Sequence, residues 1–171
     1  MASHCGKIGI NHAFEASPGT DLLIALRQHA AHRNGGRIIV TGYAGLASAK
    51  KAINEAEAYD GPSIIIAYAH CINHGIDMTK GLDQQKKAVE CGHWPLYRYN
   101  PLLEEEEKNP LIIDSKEPSI KFADYALNEN RYRMLKMANP SQCDALMEAA
   151  QKDVDKGWKF LQSRFKALEQ E

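Results

Sequence analysis

Apolar positions along the chain recur with two periods. At three- and four-residue steps they predict helices. The first carries Leu22, Leu23, Leu26 and Ala30, capped by Ser17 or Thr20 and stopped by Asn34-Gly35-Gly36. The second carries Leu46, Ala49, Ile53 and Ala56 and ends at Asp60-Gly61-Pro62, and a third runs from about Leu82 to Cys91. Short apolar runs predict strands at Ile38-Ile39-Val40, from Ser63 to Tyr68, and through Leu96, Tyr97 and Tyr99. Ile64-Ile65-Ile66 is continuous and β-branched, the pattern of a parallel strand covered on both faces. Strand, helix, strand, helix, strand predicts an α/β fold with a small, mostly parallel sheet flanked by helices.

Downstream, Pro101 and Asn109-Pro110 flank the charge run Glu104 to Lys108, which reads as a solvated loop, and Leu111-Ile112-Ile113 adds an edge segment. Ser119 begins a helix carrying Phe122, Tyr125, Ala126, Tyr132 and Met134, broken at Asn139-Pro140. The clearest period is the last: Met147, Ala150, Val154, Trp158, Leu161, Phe165 and Leu168 line one face of a long C-terminal helix. From Ser141 to Glu169 it would extend about 43 Å, more than a compact domain of this size spans, so part of its stripe is expected to pack on another chain or domain. Cys143 stands one turn before Met147 on that stripe, a packing position. Gly157 inside the helix costs about 1 kcal/mol relative to Ala.

Composition narrows the function classes. The chain has 171 residues, with Lys+Arg 21 against Asp+Glu 22 and a formal net charge of -1. Without clustered cations no nucleic-acid partner is expected. No apolar run approaches the roughly 20 residues of a bilayer span, so no membrane partner is expected either. The start, MASHCGKIG, lacks the basic-then-apolar order of a secretion signal, which points to a cytoplasmic location. The four cysteines, Cys5, Cys71, Cys91 and Cys143, form no Cys-x-x-Cys pair and read as free thiols, with one of them a candidate metal or cluster ligand.

In a parallel α/β sheet, ligand sites gather on loops after the strands. Thr41-Gly42-Tyr43-Ala44-Gly45 has the glycines either to cradle a phosphate or simply to turn tightly. Ala69-His70-Cys71-Ile72-Asn73-His74-Gly75 is denser in chemistry, with one thiol, two imidazoles and an amide directly after the strongest strand. Three readings stay open there besides a buried thiol with backbone-capping histidines. Cys71 can be a soft ligand to a metal or cluster. Cys71, His74, Cys91 and His93 can form a four-donor zinc site, provided the chain turns sharply at Gly92. Cys71 can also be a nucleophile with His70 or His74 as base. His4, Cys5 and His12 lie scattered in an irregular tail and suggest no site.

Longer motifs carry a family resemblance. The stretch from Ala56 to Gly75, followed by Lys80-Gly81-Leu82-Asp83-Gln84-Gln85-Lys86-Lys87-Ala88-Val89 and Gly92-His93-Trp94-Pro95-Leu96-Tyr97-Arg98-Tyr99-Asn100-Pro101, resembles the C-terminal part of the pyruvate:ferredoxin (flavodoxin) oxidoreductases. Lys108-Asn109-Pro110, Asp114-Ser115-Lys116 and Asn130-Arg131-Tyr132 continue the likeness, which covers about Ala49 to Lys166. The resemblance implies part of a thiamine diphosphate-binding fold. It also implies an enzyme that oxidises pyruvate with coenzyme A, using thiamine diphosphate, magnesium and iron-sulfur clusters, with ferredoxin or flavodoxin as electron partner. It makes Cys71 the last of four cysteine ligands to the four-iron four-sulfur cluster nearest the diphosphate.

The family's other three ligands, its Cys-x-x-Cys pair and its Gly-Asp-Gly start have no counterpart here. The chain alone is therefore expected to bind none of these cofactors, to be inactive, and to need the remainder of the oxidoreductase or a homo-oligomer partner. By the resemblance the chain divides into residues 1–48, unlike the family, an α/β core at 49–139 and a C-terminal helical extension at 140–171. The alternative expectation is a non-enzymatic association module, a degenerate remnant whose long helix mediates assembly.

Overall fold

The structure, a computed structural model, describes residues 37–41 and 45–168. The helix expected over Leu22 to Ala30, the tail with His4, Cys5 and His12, and the middle of the Thr41–Gly45 loop lie outside the described residues. In chain order the elements are β1 (Arg37–Thr41), α1 (Gly45–Ala58), β2 (Ser63–Ala67), 3-10 turns at Ile72–His74 and Met78–Lys80, and α2 (Gly81–Glu90). Then come β3 (Tyr97–Tyr99), α3 (Leu102–Glu105), β4 (Leu111–Ile113), α4 (Phe122–Ala126), α5 (Asn130–Ala138) and α6 (Pro140–Leu168). The architecture is α/β with a long C-terminal helix. No described helix is long and apolar enough to cross a membrane.

The sheet is mixed, with strand order β2-β1-β3-β4. β1 and β2 run parallel, pairing Ile38 with Ile64 and Val40 with Ile66. β3 returns antiparallel to β1, with Ile39 opposite Arg98, and β4 is antiparallel to β3. The expected mostly parallel sheet is thus corrected to one parallel pairing beside two antiparallel ones. Apolar runs state that a strand exists, not its direction, and α2 with the turn after it is long enough to return the chain either way.

Two more expectations shift. β2 is an edge strand among the described residues, and Ile64 and Ile65 stay 49% and 39% exposed, so its faces are not both covered. On α1, among the residues whose burial is described, Ala52 is buried and Ile53 is exposed. The helix is rolled so that Glu55 reaches the sheet, where Arg98 Nη1 of β3 donates to Glu55 Oε1 at 3.0 Å. The same guanidinium clamps Asp114 with two further bonds of 2.7 and 2.6 Å. The acidic run is not loop alone, because α3 forms its first half.

The helix expected from Ser119 to the break at Asn139-Pro140 is two helices, α4 and α5, separated at Leu127 to Glu129. α4 is fixed on α6 by a cap from outside itself, since Phe122 N donates to Gln151 Oε1 at 2.7 Å. α6 matches the predicted stripe and closes two apolar clusters. Trp158 and Leu161 pack on Tyr97 and Leu111 of the sheet. Val154 joins Ala88, Cys91, Phe122, Tyr125 and Ala126, with Met147 and Ala150 at the margin. Cys143 is buried, as its position on the stripe predicted.

Candidate functional site

The loop after β2 leaves the strand at Tyr68 and is held at four points. Tyr68 O accepts from Gln85 Nε2 of α2 at 2.9 Å, and Tyr68 Oη lies 2.6 Å from Tyr125 Oη of α4. The ring of His70 rests on Gly81 at the start of α2, so close that a Cβ there would fall 2.3 Å from His70 Nε2. Cys71 precedes a tight turn in which His74 N donates to Cys71 O at 3.0 Å. Gly75 closes that turn at φ 67, the left-handed region that glycine enters without a steric penalty. Against it stands Asn130, whose Cβ occupies the place a Gly75 side chain would need and whose N–H donates to Gly75 O at 3.3 Å.

Glu129, just before Asn130, is completely buried. A carboxylate in that position must be compensated, since desolvation costs several kcal/mol unless charge and hydrogen bonds replace water. Gln84 Nε2 donates to Glu129 Oε1 at 3.1 Å and to Tyr125 O at 3.0 Å, while Arg131 Nε donates to Glu129 Oε2 at 2.5 Å. His74 Nδ1 lies 3.8 Å from Glu129 Oε1, beyond hydrogen-bond reach. The Nδ1 atoms of His70 and His74 are buried and without hydrogen-bond partners. Burial above all, then the Tyr68 hydroxyl and the charge on Glu129, keep the Tyr125 phenol above the ordinary tyrosine range and therefore neutral.

The predicted donors are not brought together. Gly92 does turn sharply, at φ 77, as a zinc site would need. Yet the Cys91 thiol faces inward, donating to Ala88 O at 3.4 Å, and burial pushes it up to about 11. The His93 ring instead stacks on Tyr125, with centroids 5.2 Å apart, and burial followed by the Arg131 charge lowers its pKa below the usual value. Among the described residues no three His, Cys, Asp or Glu side chains stand together as metal ligands. The four-donor zinc reading is therefore corrected: the turn at Gly92 sends Cys91 and His93 into the core rather than toward Cys71. Cys71 itself is a half-buried free thiol. A four-iron cluster takes four thiolates, and the described residues present one at this loop, which does not fit a whole cluster.

Sequence reasoning found the loop but not the residues beneath it. Gln84 sits on a helix face that reads as polar, and Glu129 stands in the turn Asn128-Glu129-Asn130, where no period exists to flag a buried charge. Asn130 and Arg131 stand out only through the family likeness, and Tyr132 also as an apolar position on the predicted helix.

Comparison with known proteins gives a consistent answer for most of the chain. It is 54% identical over 112 residues, 66% of its length, to the pyruvate-flavodoxin oxidoreductase of a Nostoc species. Over that stretch the chain is a relative of the pyruvate:ferredoxin/flavodoxin oxidoreductases. The pyruvate:ferredoxin oxidoreductase of Moorella thermoacetica is 55% identical over 104 residues, 61% of the chain, and a probable pyruvate-flavodoxin oxidoreductase of Escherichia coli is 43% identical over 111 residues, 65% of it. The chain spans about 9% of the length of the Nostoc and Moorella enzymes and 10% of the Escherichia coli one. No family model matches it.

Proposed function

We propose that the chain provides the C-terminal part of a pyruvate:ferredoxin or pyruvate:flavodoxin oxidoreductase, within the region of its thiamine diphosphate-binding fold, and does not turn over pyruvate alone. In this reading residues 49–139 are the α/β core shared with the family and 140–171 its helical extension. Cys71 contributes one thiolate to the four-iron four-sulfur cluster nearest the diphosphate. The other thiolates, the diphosphate and its magnesium are held by the remainder of the enzyme, with ferredoxin or flavodoxin as acceptor and the cytoplasm as location. The single observation that carries the reading is identity of 54% over 112 residues to an enzyme of that activity. A half-buried free thiol on the loop after β2, Cys71, agrees with it. So do the uncovered isoleucines of β2, which suit a sheet buried within a larger assembly.

The test is complementation. A relative deleted for the homologous segment is combined anaerobically with this chain, iron and sulfide, and pyruvate-dependent dye reduction is followed. Restored activity that Cys71→Ser abolishes is expected, with none from the chain alone. Turnover by the isolated chain, or no restoration with properly folded partners, overturns the reading.

One observation favours a second reading, an association module. On the α5–α6 pair Met134, Met137 and Leu146 are exposed, Met137 by 83%. Light scattering decides this, because a strict monomer at high concentration removes self-association.

A further inference from the structure

We infer that Glu129 and Asn130 form a seat that fixes the position of Cys71 through the turn ending at Gly75. The loop from His70 to Gly75 holds no sheet hydrogen bonds of its own, so its conformation must be imposed by what it rests on. On one side Asn130 occupies the place a side chain at Gly75 would need, and its N–H ties Gly75 O. The left-handed Gly75 ends the turn whose first carbonyl belongs to Cys71, so moving Gly75 moves the thiol. On the other side Glu129 is locked from two directions, by Gln84 of α2 and by Arg131 of α5. A buried carboxylate with both oxygens occupied tolerates few positions, because any displacement leaves a charge desolvated and unpaired. Glu129 thereby fixes where Asn130 stands, and Asn130 fixes the loop. Glu129 is a positioning residue, not a ligand.

What the seat is for rests on the reading of Cys71 as a cluster ligand, whereas the seat itself does not. Its test uses the full chain without any cluster. In a Cys5→Ser background, iodoacetamide labelling of Cys71 is timed by peptide mass spectrometry, with the buried thiols Cys91 and Cys143 as reporters of global opening in the same molecule. Glu129→Gln keeps the shape and removes the charge. Labelling of Cys71 on the order of tenfold faster is expected, as for loss of a charged hydrogen bond that holds a local segment, with Cys91 and Cys143 still protected.

Gly75→Ala should likewise speed Cys71 labelling. Adding Asn130→Gly, which removes the atom the new methyl would strike, should restore part of the protection, an effect that a purely general loss of stability does not produce. An unchanged Cys71 rate in folded Glu129→Gln, labelling of all three thiols in step, or no rescue in the double variant each overturns the seat. Complementation that survives Cys71→Ser sinks the ligand reading alone.

Discussion

Tyr68 and Tyr125 meet hydroxyl to hydroxyl at 2.6 Å across 57 residues of sequence, joining the loop just after β2 to the last turn of α4. Tyr125 is fully buried and Tyr68 half-buried, so removing one hydroxyl alters a partly buried bond. Tyr68→Phe and Tyr125→Phe should each destabilise the fold by about 1 kcal/mol. Because they share one bond, the double variant should lose less than the sum. Urea midpoints of the four proteins give the coupling, and strict additivity would refute it.

Arg98 joins three segments, with Asp114 held by two bonds and both oxygens of Glu55 reached by Nη1. Lysine offers one point charge in place of that planar fork. Arg98→Lys should cost about 1 kcal/mol, and Arg98→Ala about 2 kcal/mol because the half-buried Glu55 loses its cation and the exposed Asp114 its two bonds. For a chain of this size that is a fall in melting temperature of roughly 2–4 °C per kcal/mol, readable by calorimetry. Equal melting temperatures for wild type and Arg98→Ala would show that the cluster contributes nothing.

His93 sets a pH dependence. Its pKa is lowered in the fold, first by burial and then by Arg131, from an ordinary value of 6.5. The unfolded chain therefore binds a proton that the folded one refuses. Stability should be level above about pH 7 and fall as pH drops below 6.5 toward the lowered folded value. His93→Phe, which preserves the stacking on Tyr125, should flatten the melting temperature between pH 7 and 5.5. An identical slope in the variant would place the proton uptake elsewhere.

Trp158 separates packing from polar satisfaction. It is buried against Tyr97, Leu111 and Leu161, while its Nε1 is buried without a hydrogen-bond partner. Trp158→Ala should cost about 3–5 kcal/mol, the usual cost of deleting a large core aromatic. Trp158→Phe should cost well under half of that, since the cavity it leaves is offset by removal of an unpaired donor. Equal losses in the two variants, measured by chemical denaturation, would contradict this assignment.

Much of the fold is legible in the sequence where one residue pattern answers to one physical demand. The stripe from Met147 to Leu168 has room for a single solution, a helix with one buried face, and the structure places α6 at Pro140–Leu168. Ser63 to Tyr68 and Leu82 to Cys91 fall within about a residue of β2 and α2. Pattern fails where tertiary demands decide. Ile53 gives way to Ala52 because Glu55 must reach Arg98, and strand direction is settled by pairing rather than by apolar runs. At the loop, Cys71 is legible as exposed chemistry after a strand. Glu129 is not, because a buried carboxylate is made tolerable by Gln84, 45 residues away in sequence.

α6 has one property that neither cluster has alone. Its 29 residues belong to the sheet cluster at Trp158 and to the α4 cluster at Val154, barely one turn apart. A rigid rod shared by two cores transmits displacement between them, so neither core can breathe while the other stays shut. Amides on β4 and on α4 should then exchange with solvent through one common opening event, the two cores behaving as a single cooperative unit.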